Sequence, residues 1–196
     1  MMLGGLALAN GLVIGAAPQA GARVSTVSMA SIADTAASLQ GPEIFWGSAG
    51  VADGYDESDI KGYDGFGTFL GACKDAGIEL SGTVFAPTDA TIADFVANGG
   101  SITPDLLKYH VLPAKVTTSQ FSSADLKTVN GKSLTYRRMY RKDFIDDATP
   151  GVKSEGPSKS SNWPCDVQCD NGVLHSCNAV LVPGWEPQTE AGYARQ

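Results

Sequence analysis

The apolar pattern of this chain changes period partway along, and that change decides its fold class. Over residues 66–76, Phe66, Phe69, Leu70 and Cys73 fall on one face of a short helix that ends at Gly77, a common C-cap residue. Gly82-Thr83-Val84-Phe85-Ala86-Pro87 reads as a strand stopped by proline. Thr88-Asp89 then caps a helix carrying Ile92, Phe95 and Val96, which stops at Asn98-Gly99-Gly100. A third helix starts with Thr103 as N-cap, Pro104 at its first position and Asp105 where the helix dipole favours an acid. It turns Leu106, Leu107 and His110 inward and closes at Pro113. Beyond that point the spacing is of strand type, with turn signals at Asn130-Gly131 and Asp170-Asn171-Gly172 beside the runs 133–136 and 173–182. Helices followed by strands predict an α+β domain rather than a doubly wound sheet.

A chain of 196 residues, 43% hydrophobic and 18% charged, carries one core that needs no crosslinks to hold it. The net charge of −7 excludes nucleic acid as the main partner, because phosphate binding requires a basic face. Residues 1–29 carry Arg23 as their sole charge and an apolar run at 3–14 that is too short and glycine-rich to span a bilayer. They read as a targeting segment. A secretory signal ending near Ala20-Gly21-Ala22 is one address. The other is a plastid transit peptide, which the acid-free stretch from Ala22 through Ser25, Thr26 and Ser28 to Ala30 and the lack of a basic start favour. Residues 30–42 begin as a helix with Ile32, Ala36 and Leu39 at helical spacing, ended by Gly41-Pro42. With the aperiodic, glycine- and acid-rich stretch after it, which bears Phe45, Trp46, Tyr55 and Tyr63, it makes an extended arm over 30–65. The stretch 150–164 reads as a polar exposed loop, and 184–196 as a C-terminal tail bearing Trp185 and Tyr193.

Three motifs in order carry a family resemblance over 66–183. Thr83-Val84-Phe85-Ala86-Pro87-Thr88-Asp89-Ala90 resembles the first signature box of fasciclin domains, and Leu107-Lys108-Tyr109-His110-Val111-Leu112 their central Tyr-His motif. Asn171-Gly172-Val173-Leu174-His175 with Ala179-Val180-Leu181-Val182-Pro183 resembles the second box. The resemblance implies a β-sandwich wedge with short helices packed along its edge, and a noncatalytic module that binds other proteins. The link 77–82 is shorter, and the region 137–165 longer, than the family pattern. With a plastid-type leader and aromatic tails, the chain is similar to the fasciclin-containing linkers of red algal phycobilisomes. That implies phycobiliproteins or other linkers as partners at the stromal side of the thylakoid. The alternative is a secreted or cell-surface adhesion protein, made less attractive by the lack of an Asn-x-Ser/Thr acceptor.

Several residues invite chemistry. Asp89 and His110 suggest the base half of a catalytic triad, but no nucleophile motif accompanies them. In the fasciclin pattern they form a buried structural polar pair, so no catalytic residue is expected. Cys165, Cys169 and Cys177 with His175 offer enough ligands for zinc without the paired spacing that marks such sites, so neither metal nor other cofactor is expected. If Asp170-Asn171-Gly172 is a hairpin turn, a disulfide of Cys177 with Cys165 or Cys169 becomes possible. Free thiols, or a bilin attached to one of them, are the alternatives, and His175 reads as an ordinary strand residue. Tyr136-Arg137-Arg138-Met139-Tyr140-Arg141-Lys142 gathers four positive charges in an acidic chain. It is either a solvated face or a docking patch, since Arg and Tyr are enriched at interface hot spots. The candidate protein-binding set is therefore Phe45, Trp46, Tyr55, Tyr63, Tyr136, Arg137, Arg138, Tyr140, Arg141 and Trp185.

Overall fold

The computed structural model describes residues 30–45, 60–139, 142–151 and 163–187. Its centre is a pair of parallel strands, β3 (Gly82–Pro87) and β8 (Gly172–Cys177), registered Val84 to Leu174 and Phe85 to His175. Strand β4 (Val111–Leu112) adds antiparallel to β3, and β7 (Val167–Cys169) antiparallel to β8, giving the order β4-β3-β8-β7. Every residue of β3 and β8 is buried, as expected for strands covered on both faces. Two glycines allow the close approach of β3 to β4 and of β8 to β3. A Cβ at Gly82 (φ +75°) would overlap the Leu112 carbonyl, and one at Gly172 would overlap the Gly82 carbonyl.

The sheet divides the core in two. Val84, Ala86 and Leu174 pack with the helical layer: α1 (Ile32–Ser38), α2 (Gly67–Asp75), α3 (Asp89–Ala97) and α4 (Pro104–Tyr109). Phe85 and Cys177 belong to a second cluster with Tyr109, Phe121, Leu134, Ile145 and Leu181. Over that side lies a separate ribbon, β5 (Tyr136–Met139) paired with β6 (Lys142–Ile145). The α+β reading holds, with open sheets and short helices. Among the described residues no helix is long and apolar enough to cross a membrane.

The local signals around the first box form as read. Thr88 accepts a hydrogen bond from the Thr91 amide and Thr103 from the Leu106 amide, the side-chain caps that start α3 and α4. The expected arm over 30–65 is corrected at both described ends. Helix α1 stops at Ser38, before Gly41-Pro42, and its Ile32 is 0% exposed, inside the helical core. Strands β1 (Glu43–Phe45) and β2 (Ile60–Tyr63) pair as a ribbon, so backbone hydrogen bonding organises what aperiodicity left extended. The Asn130-Gly131 turn forms with Gly131 at φ +87°, but it joins a single bridge, Lys127 to Ser133, rather than a hairpin. The apolar run 173–182 is strand only to Cys177.

Candidate interaction surface and buried polar sites

Two aspartates tie the first box to α2, from positions that sequence spacing does not reveal. The N-cap residue of α2, Phe66, offers no side-chain acceptor. Asp89 supplies it instead, taking the amides of Thr68 at 2.7 Å and Gly67 at 3.3 Å. Asp64 does the same at the start of α3, accepting from the Ala90 amide at 3.3 Å and from Gly65 at 2.9 Å. Asp89 is therefore not the partner of His110. The expected pair is replaced by two contacts, because the orphan amides of α2 lie closer to hand for the carboxylate.

His110 is 0% exposed and bonded at both ring nitrogens. The Leu181 amide donates to Nε2 at 3.0 Å, so Nδ1 carries the proton and donates to the Leu106 carbonyl at 3.0 Å. The imidazole thus fastens α4 to the segment after β8. Burial pushes its pKa down to about 4, against the small opposing pull of the Leu106 carbonyl.

His175 is no ordinary strand residue. It is fully buried, stacked on Phe85 at 5.4 Å between ring centroids and edge-on to Phe121 at 5.3 Å. Its Nε2 donates to the Val116 carbonyl at 2.9 Å, and its Nδ1 accepts from the Asp166 amide and the Cys165 thiol, each at 3.2 Å. Desolvation lowers the imidazole pKa, while burial with the neighbouring Asp166 charge raises the Cys165 thiol to about 12.

All four cysteines are free thiols. A Cys169–Cys177 disulfide is ruled out by register. Cys169 sits opposite Gly172, and Cys177 lies five residues further along β8, about 16 Å at the strand rise. The Cys165 sulfur faces His175 instead, with Gly151 packed beside it. Asn171, read from the sequence as part of a turn and of the second box, also makes long-range contacts that the spacing did not reveal. Its side chain accepts from the Ile32 amide at 2.9 Å and donates to the Leu80 carbonyl at 2.7 Å, while its carbonyl takes the Gly82 amide. A turn residue thereby docks α1 onto the sheet.

The basic segment forms the β5–β6 ribbon, and its cations are partly engaged within the molecule. Arg137 donates to the Asp146 carbonyl at 2.6 Å, with its guanidinium carbon 4.5 Å from the Trp185 ring centroid and 5.7 Å from that of Phe144. Arg138 pairs with Asp143 at 2.9 Å while keeping 62% of its side chain exposed. Tyr136 donates its hydroxyl to the same carboxylate at 2.8 Å, which raises its pKa. The structure therefore brings Tyr136, Arg137, Arg138 and Trp185 to one region. Tyr63 lies on β2, 47% exposed, and Phe45 on β1. Trp46, Tyr55, Tyr140 and Arg141 fall outside the described residues.

Compared with known proteins, residues 64–183 match the family model of the fasciclin domain. Protein sll1483 of Synechocystis is 28% identical over 137 residues, an alignment covering 62% of this chain and 69% of that protein.

Proposed function

This chain belongs to the fasciclin domain family, and from that membership we propose a noncatalytic protein-interaction module whose binding site is its outer surface. More narrowly, it is a structural linker in a plastid light-harvesting assembly, the phycobilisome, holding phycobiliproteins at the stromal side of the thylakoid. The observation that carries the interaction reading is the β5–β6 face. There the Arg137 guanidinium is already ordered between aromatic rings, and Arg138 extends to solvent. An ordered Arg and aromatic cluster loses little side-chain entropy on docking. The Arg138–Asp143 pair is exposed, and such pairs contribute about 0–1 kcal/mol, so a partner carboxylate can replace Asp143 at small cost. The separation of Asp89 from His110 supports the noncatalytic side, since it dismantles the one acid–base arrangement that the sequence suggested. The narrower linker reading draws on the leader-like segment and the aromatic tails.

Sedimentation of intact light-harvesting particles tests it. The tagged chain is expected to travel with the particles, and Arg138→Ser together with Trp185→Ala to release it. Recovery of the wild-type chain as a free monomer in every fraction would sink the linker reading. A fluorescent fusion located outside the plastid would redirect it to the adhesion class.

A further inference from the structure

The tautomer of His175 turns one lone pair toward a thiol and a carboxylate. A carbonyl can only accept, so the 2.9 Å contact with Val116 fixes the proton on Nε2 and leaves the Nδ1 lone pair as an acceptor, shared between the Cys165 thiol and the Asp166 amide at 3.2 Å, whose contacts a metal ion would displace. Facing it are the Cys165 sulfur at 3.2 Å and the Asp166 Oδ1 at 3.9 Å. One donor atom from each of these three residues lies within 4.8 Å of the other two. A zinc ion with sulfur at about 2.3 Å and imidazole nitrogen at about 2.0 Å in tetrahedral geometry sets those two atoms about 3.5 Å apart. The existing separation therefore needs to open by only a few tenths of an ångström.

The surrounding shell is of the kind that orients ligands. The Val116 carbonyl fixes the imidazole. Thr118 holds both oxygens of Asp166, its amide donating to one at 2.8 Å and its hydroxyl to the other at 2.5 Å. Asp166 itself is held at φ +55°, an uncommon backbone conformation for a residue other than glycine. Its side chain is 38% exposed, so an ion reaches the cluster from solvent without the core opening.

We propose that Cys165, Asp166 and His175 bind one divalent cation of the zinc class, with the remaining position open to water. The thiol gives up its proton to solvent on binding, and no electron is transferred. The site lies beside the β5–β6 ribbon, with Phe121 packed between His175 and Tyr136. It also differs from the cysteine cluster expected from sequence, because Cys169 lies at the opposite end of the β7–β8 hairpin.

Cobalt(II) is the probe. Chelator-treated, folded protein is titrated with Co(II), then with Zn(II), while absorbance is followed. One equivalent should bind with a thiolate-to-metal charge-transfer band that Zn(II) abolishes. Cys165→Ser should remove the band, Asp166→Asn and Thr118→Val should weaken affinity about 10–100-fold, and Cys169→Ser should change nothing. Circular dichroism establishes that each variant is folded. If Cys165→Ser fails to fold, the wild-type titration and Asp166→Asn decide the matter. No stoichiometric uptake by the folded wild type, or a titration unchanged in Asp166→Asn and Cys165→Ser, overturns the proposal.

Discussion

The buried His110 makes the stability of this domain depend on pH in a direction that the geometry fixes. In the folded state Nε2 must accept the Leu181 amide. Protonation would set two N–H donors against each other in a site without water-exposed surface. The folded pKa is lowered to about 4 from the ordinary imidazole value of 6.5, so between those values the unfolded chain binds more protons than the folded one. Stability from this group is complete above pH 6.5 and is lost as pH falls toward 4. The full shift corresponds to about 3 kcal/mol, of which about 2 kcal/mol disappears between pH 7 and pH 5. Urea denaturation at half-unit steps across that window should show the fall. NMR of the imidazole should show the ring neutral, with its proton on Nδ1, throughout. A His110 ring that titrates near 6.5 in the folded protein would refute the reasoning, because the Leu181 contact would then not be holding the neutral form.

Other substitutions probe separate parts of the account. Asp89→Ala removes the cap of α2 and should cost about 1 kcal/mol in urea denaturation, with no change in the midpoint contradicting the cross-capping arrangement. Phe85→Ala opens the cluster around Phe121 and His175 and should cost about 3–5 kcal/mol, read as a lowered melting temperature. Asn171→Ala should loosen α1 selectively, seen as faster amide hydrogen exchange at Ile32 and Ala36 than in the strands. Mass spectrometry without reductant should give the mass of four free thiols, with rapid labelling only after denaturation for Cys73, Cys169 and Cys177. A mass two hydrogens lighter would contradict the assignment of all four cysteines as free thiols.

What the sequence made legible were contacts between near neighbours. The strand-stop-cap junction at Pro87-Thr88 and the Thr103-Pro104 start are signals written within a few residues, and both form as read. The fold class followed from them and from the strand-type spacing beyond Pro113. Long-range polar contacts were not legible. Asp64, Asp89 and Asn171 act on amides 26, 21 and 139 residues away, and nothing in local composition marks a carboxylate that caps another helix. Helix α1 was visible as a helix, but its docking depends on Asn171 and was not. His175 was misread because both faces of β8 are buried, so alternation says nothing about which way a polar side chain turns or what it meets. The basic run looked more strongly charged than its described surface is, since the Asp146 carbonyl and Asp143 engage Arg137 and Arg138 only after the ribbon closes.

The central claim is that partners are met by the outer β5–β6 face, on the side of the sheet away from the helices. Cross-linking mass spectrometry on native complexes tests it directly, because lysines mark both sides. Lys142 lies in β6, while Lys74 is exposed in the last turn of α2. Cross-links to partner proteins concentrated at Lys142, and absent from Lys74, are the predicted result. Partner cross-links confined to Lys74 would place the interface on the helical layer and contradict the account.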